Sequence, residues 1–206
     1  MTIRAKLYAA IVLTVIGPLV TIAVALQGQA ELGDRFDEVR DRARHEALAR
    51  ELKFGVTDVN GWQTAYGYDD GRSRPVFDRS VAAFRADLAE ADRRLDDPPE
   101  RELLRELSDE FDGFMELDVV AYRALQNGRE EVTKRIFLGP ELVRFEAMAD
   151  TAERLAQYEA RQASASERAF DEERDNVRRR LIAVAVGAGL VIVLLLITAR
   201  DLIRRD

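Results

Sequence analysis

Cysteine is absent from the 206-residue chain, which excludes a disulfide framework, a thiolate metal site and a thiol nucleophile. Histidine occurs once, as His45. With no second His and no Cys beside it, His45 reads as a structural residue, and no metal site is expected. Proline (5) and glycine (12) are few and clustered, which favours long unbroken helices. Runs of β-branched and aromatic residues at period two, bounded by turn residues, are missing, so no strand is predicted. There is also no Gly-rich phosphate loop, nucleophile elbow or HExxH motif. No catalytic residue and no cofactor is therefore assigned, and the chain does not read as an enzyme.

Charge is plentiful, but two stretches have none: Leu7 to Leu26 and Leu181 to Ala199. Each is about 20 residues long, and at 1.5 Å per residue that covers a bilayer core of roughly 30 Å. Pro18 in the first stretch is tolerable in a membrane helix, at the expense of a kink. In the second, Ala185 with Gly189 and Ala183 with Gly187 form small-xxx-small pairs suited to close helix approach. The rival reading of the first stretch is a cleaved signal peptide, with Arg4 and Lys6 as its n-region and Ala23-Val24-Ala25 as its cleavage site. The run exceeds the 7–15 residues usual for such a peptide, about one h-region, which favours retention. Arg4 and Lys6 before the first span, and Arg200, Arg204 and Arg205 after the second, place both termini in the cytoplasm. Arg178 to Arg180 oppose this, but they close a long segment, and long segments translocate largely regardless of charge. Residues 27–180 hold 26 basic and 36 acidic residues, a net charge of −10. Such a segment repels polyanions, so a nucleic acid is excluded as a partner.

Apolar residues recur at steps of three and four between the spans. One ladder is Leu32, Phe36, Val39, Ala43, Ala47, Leu48, Leu52, Val56, Val59 and then Trp62 or Gln63; it reaches about Tyr68. Asp69 to Pro75 breaks it. A second helix carries Phe77, Val81, Phe84, Leu88, Ala91 and Leu95. Asp97, Pro98 and Glu100 suit the N-cap, first position and first turn of a third helix. That helix runs through Leu104, Leu107, Phe111 and Phe114 to Asn127-Gly128, an αL C-cap. A short helical piece spans Val132 to Leu138, and a last helix runs from Pro140 into the second uncharged stretch. The expected fold class is all-α: two transmembrane helices continuous with an antiparallel up-down-up-down four-helix bundle. The boundaries are 1–6 (cytoplasmic), 7–26 (span), 27–180 (extracytoplasmic bundle), 181–199 (span) and 200–206 (cytoplasmic). The stretches Glu31 to Arg50 and Arg161 to Arg180 are thin in large apolar residues. Two such helices bury little, so a twofold homodimer is expected to complete them.

One cluster is unusual. Asn60-Gly-Trp-Gln-Thr-Ala-Tyr-Gly-Tyr-Asp-Asp70 gathers the one Trp and two Tyr at a helix end, with two glycines among them. Asn60, Trp62, Gln63, Tyr66, Tyr68 and Asp69 are candidate contacts for a small-molecule ligand. The competing reading is close helix packing followed by a turn. This string, with Arg135-Ile-Phe-Leu-Gly-Pro140 and Phe145-Glu-Ala-Met148, resembles the four-helix-bundle sensor half of bacterial methyl-accepting chemotaxis proteins. Arg200-Asp-Leu-Ile-Arg-Arg205 looks like the entry to a HAMP linker. The resemblance implies a plasma-membrane receptor module that detects an extracytoplasmic stimulus and passes it through its second span. The methylation helices and kinase-coupling tip of that family are not in these 206 residues, so the expectation is a truncated receptor or a stand-alone sensor. The alternative is a membrane-anchored structural or interaction protein without signalling output. The topology is testable by single cysteines in intact cells: Ser73→Cys should react with an impermeant maleimide and Asp206→Cys should not. Equal labelling would sink the arrangement.

Overall fold

The computed structural model describes the backbone of residues 3–203 and the side chains of residues 15–195, 197 and 200. The side chains of Arg4 and Lys6, of residues 7–14 in the first uncharged run and of Leu196, Thr198 and Ala199 in the second lie outside these described residues, as do Arg204 and Arg205. Five helices account for nearly all of the described chain: α1 (Ile3–Tyr68), α2 (Arg74–Arg94), α3 (Pro98–Gln126), α4 (Glu130–Phe137) and α5 (Pro140–Ile203). No strand occurs among the described residues, so the chain is all-α.

The helix ends follow local chemistry. Asp70 (φ 58°) and Gly71 (φ 85°) take left-handed conformations between α1 and α2. Asp69 accepts from the Ser73 backbone N–H at 3.1 Å and from the Ser73 hydroxyl at 2.5 Å, which closes the turn. At the start of α3, Asp97 and Glu100 form a capping box, the Glu100 carboxylate accepting the Asp97 N–H at 3.0 Å. Gly128, at φ 68°, ends α3 as the sequence predicts.

The chain divides into two compact units, Met1–Val39 with Ala165–Asp206, and Arg40–Ser164. In the Arg40–Ser164 unit one core takes side chains from four helices: Leu52 and Val56 of α1, Phe77 and Phe84 of α2, Leu107 and Phe111 of α3, Met148 and Leu155 of α5. Phe84 meets Phe111 edge-on at 4.8 Å. Gly55 admits Phe84, whose ring would lie 2.6 Å from a Cβ there. The α1 ladder continues through Gln63, which is 3% exposed, and not through Trp62, which is 37% exposed. At 100° per residue, Val59, Gln63 and Tyr66 share a face that Trp62 misses.

In the other unit, segments of α1 and α5 approach at small residues. A Cβ on Gly28 would lie 2.6 Å from Val177, and one on Gly17 would lie 3.8 Å from Ala188. The predicted small-xxx-small pairs do not make this contact, since nothing lies within 4 Å of a Cβ on Gly187 or Gly189. Phe36 and Phe170 pair at 6.3 Å, and Arg180 bridges to Glu31 at 3.1 Å. From Val15, α1 is long and apolar enough to cross a membrane, with an 18-residue window of mean hydropathy 1.4 of which only 6% is buried. A helix so apolar and so little covered is not the core helix of a soluble domain, which points to membrane association.

The two glycines of the Trp–Tyr cluster differ in what surrounds them. A Cβ on Gly61 meets open space, whereas one on Gly67 would run into the Phe137 ring of α4. Gly61→Ala should therefore stabilise the protein by about 1 kcal/mol through helix propensity. Gly67→Ala should destabilise it by about 1–3 kcal/mol through overpacking. Denaturant midpoints of the two variants check this, and equal gains would contradict the Phe137 contact.

Candidate functional site

The end of α1, the α1–α2 turn, α4 and the first turn of α5 enclose a cavity of about 440 Å³. Asn60, Gln63, Thr64 and Tyr68 of α1 supply one wall. Glu130, Thr133, Lys134 and Phe137 of α4 supply another, with Leu125 of α3, Leu138 at the end of α4 and Leu142 of α5 as apolar lining. Two contacts fasten α4 over this space. Gly67 lets the Phe137 ring lie directly on α1, and the buried Thr133 hydroxyl donates to the Ala121 carbonyl of α3 at 3.2 Å. The volume falls within the roughly 300–1,000 Å³ typical of small-molecule sites.

Behind the Gln63 wall lies a buried polar network. Asp118 of α3 is fully buried. Its Oδ1 accepts from the Tyr66 hydroxyl and, at 3.2 Å, from the Gln63 amide; its Oδ2 lies 2.8 Å from the Arg74 guanidinium. The Gln63 amide also donates to Glu141 Oε1 of α5. Arg74 sits against three rings, 5.1 Å from the centroid of Tyr66, 4.6 Å from Phe77 and 4.3 Å from Tyr122. Its charge is thus met by two carboxylates, the buried Asp118 and, at 2.8 Å from its Nε, the exposed Asp78, and by aromatic faces. Burial, followed by the Asp118 charge, pushes the Tyr66 hydroxyl well above its ordinary pKa, so it acts as a fixed donor. Burial likewise pushes Glu141 up to about 8, although the Gln63 hydrogen bond pulls the other way. Glu141 Oε2 has no hydrogen-bond partner.

Of the six residues singled out in the sequence, Asn60, Gln63 and Tyr68 line the cavity. Tyr66 lies in the core behind it. Trp62 sits on another face of α1 and donates to Asp58 at 3.1 Å. Asp69 is committed to the turn, where the Ser73 hydroxyl lowers its pKa. Arg74, Asp118, Glu141, Thr133 and Lys134 escaped the sequence reading. The signal for two of them was present. Asp118 continues the apolar ladder Phe111, Phe114, Asp118, Ala121, and Glu141 lies one heptad before Met148. A carboxylate on an otherwise apolar face marks a buried polar position.

Among the described residues, two groups hold carboxylates close enough for a cation: His45 with Glu100 and Glu159, and Asp96 with Asp97 and Glu100. Neither touches the cavity. No protein-family model, curated protein or solved structure matches the chain.

The pH response of the network can be tested. Glu141 holds its proton in the fold up to about pH 8, whereas in the unfolded chain it loses it near its ordinary value of about 4.3. Its contribution to stability is fully present below the unfolded pKa and is lost as pH rises towards 8, with a slope of at most about 1.4 kcal/mol per pH unit. Burial raises Glu159 too, so the comparison with Glu141→Gln isolates the effect. Between pH 5 and 9, about that window, the variant should gain stability relative to the wild type. A difference independent of pH would show that Glu141 is ionised in the fold.

Proposed function

We propose that the chain is the sensor module of a transmembrane receptor, with a four-helix-bundle ectodomain that binds a small extracytoplasmic ligand. The observation that carries this reading is the position of the cavity, which is walled by the end of α1 and by Leu142 in the first turn of α5. The same α5 continues without interruption to Ile203. A ligand there bears on the start of a helix that runs on into the second uncharged stretch. In this mechanism the ligand biases two arrangements of the bundle, and α5 carries a displacement of ~1–2 Å.

Several further observations support a membrane setting. Ile182, Val186, Leu190 and Val193 of α5 are all exposed, as are Leu19 and Ile22 of α1, and lipid is the solvent that such surfaces suit. A second copy of the chain would cover Phe36, which remains 57% exposed in the thin stretch after the first span. The lining suits a small zwitterion with an apolar side chain: it offers Lys134, which also pairs with Glu131 at 3.3 Å, the carboxylates of Asp70 and Glu130, two amides, and the apolar Leu125, Phe137 and Leu142. A scaffold without signalling output has less use for such a space.

The test uses the full chain in detergent, with amino acids, amines and organic acids as probes. A true ligand at 100 times its Kd should add about 2.7 kcal/mol, which for a domain of this size raises the melting midpoint by about 5–10 °C. Asn60→Ala and Lys134→Ala should abolish that shift and leave the apo midpoint nearly unchanged. Gln63→Ala is unsuitable, because it also removes the donor to Asp118 and Glu141. A shift that survives both variants, or none across the panel, would refute the cavity as the sensing site.

A further inference from the structure

Glu100 of α3 and Glu159 of α5 occupy apolar ladder positions. Glu100 precedes Leu104 and Leu107 at helical spacing, and Glu159 follows Ala152 and Leu155. Both residues are 0% exposed. Neither oxygen of Glu159 has a hydrogen-bond partner. His45 Nδ1 of α1 is also buried without one, and lies 3.9 Å from Glu100 Oε1. One ligand atom from each of the three residues falls within 4.8 Å of the other two.

We propose that His45, Glu100 and Glu159 form a binding site for a divalent transition-metal ion, joining α1, α3 and α5. Metal–ligand distances of about 2.1 Å bring tetrahedral donors to about 3.4 Å from one another. The three side chains need to close by little more than 1 Å, as a change of side-chain torsion allows. Glu100 is already oriented, because its Oε2 accepts the Asp97 backbone N–H at 3.0 Å. An outer hydrogen bond of this kind fixes a ligating carboxylate. A shared proton between the two glutamates satisfies one oxygen of Glu159 and leaves the other, with His45 Nδ1, unpaired. A dication satisfies all three groups at once.

Arg42 is the cation beside the cluster, at 3.2 Å from Glu100 Oε1. It also reaches Asp97 Oδ2 at 3.1 Å, which keeps the guanidinium paired when Oε1 turns to the metal. One imidazole with two carboxylates suits zinc, cobalt or nickel better than magnesium, which takes oxygen donors and retains its waters. The site is distinct from the ligand cavity: Glu100 precedes Asp118 by 18 residues on α3, about 27 Å along the helix.

The chain contains no cysteine and no other histidine, so the experiment has little background if the full protein carries a tag free of histidine. Chelator-stripped protein in detergent is titrated with Zn²⁺, Co²⁺ and Mg²⁺, following the melting midpoint and the visible spectrum. One Zn²⁺ per chain should raise the midpoint. Co²⁺ should give d–d bands of a site with fewer than six ligands, and Mg²⁺ at equal concentration should do neither. His45→Ala and Glu159→Gln should each weaken Zn²⁺ binding at least tenfold, about the loss expected for removing a ligand or its support. The introduced amide can donate to Glu100, so this variant reports even if His45→Ala fails to fold. Absence of a Zn²⁺-dependent shift and of cobalt bands overturns the proposal. So does undiminished affinity in Glu159→Gln, which would place the ion on Asp96 and Asp97 or leave a shared proton as the whole account of the glutamate pair.

Discussion

Asp118 is the interaction on which one end of the Arg40–Ser164 unit depends. A fully buried carboxylate gives up hydration worth several kcal/mol, about what a close partner must return. Here α1 returns it through Tyr66 and Gln63, and α2 through Arg74. Gln63 then passes the connection to Glu141 at the start of α5. Four helices are therefore tied to one another through a single residue of α3. Arg74 keeps its charge at every physiological pH, whereas burial pushes the Glu141 carboxyl up to about 8. The network behind the cavity combines one permanent cation with one carboxyl group whose state follows pH.

Much of this fold is written in local signals. The Asp97 cap, the Gly71 turn and the Gly128 stop depend on neighbours within a few residues, and sequence spacing identifies each of them; the return bond from Glu100 to the Asp97 N–H comes from the structure. The apolar ladders were equally legible because 3.6-residue periodicity is local. The choice between Trp62 and Gln63 is different. Adjacent residues differ by 100° around the helix, and hydrophobicity favours Trp, but the buried position belongs to Gln63 because Asp118 and Glu141 supply its partners. Those partners are 55 and 78 residues away. His45 has no His or Cys near it in sequence, yet Glu100 and Glu159 come to it from two other helices. Long-range pairing of polar residues has no sequence period, and only a carboxylate out of place on an apolar face hints at it.

Glu100, Asp118, Glu141 and Glu159 are four such carboxylates in one small unit, and leucine at those positions would pack without the desolvation penalty. Replacing buried ionic groups by apolar ones of similar volume is often neutral or stabilising. The chain thus forgoes stability at both ends of the unit. Buried polar groups restrict helix register, because a shift by one residue strands a charge. For paired helices whose apolar faces are otherwise tolerant of sliding, that restriction leaves few alternative arrangements.

The shortness of α4 bears on how such a protein diversifies. Eight residues are pinned at Thr133 and Phe137, while Glu130, Lys134 and Leu138 line the cavity from exposed positions. Substitutions at exposed positions usually change stability by no more than about 0.5 kcal/mol. Selection can therefore rewrite the chemistry of the cavity mouth without touching the core or the Asp118 network. Homologous chains should diverge fastest in α4, and preference for a ligand can drift there while the architecture beneath it stays fixed.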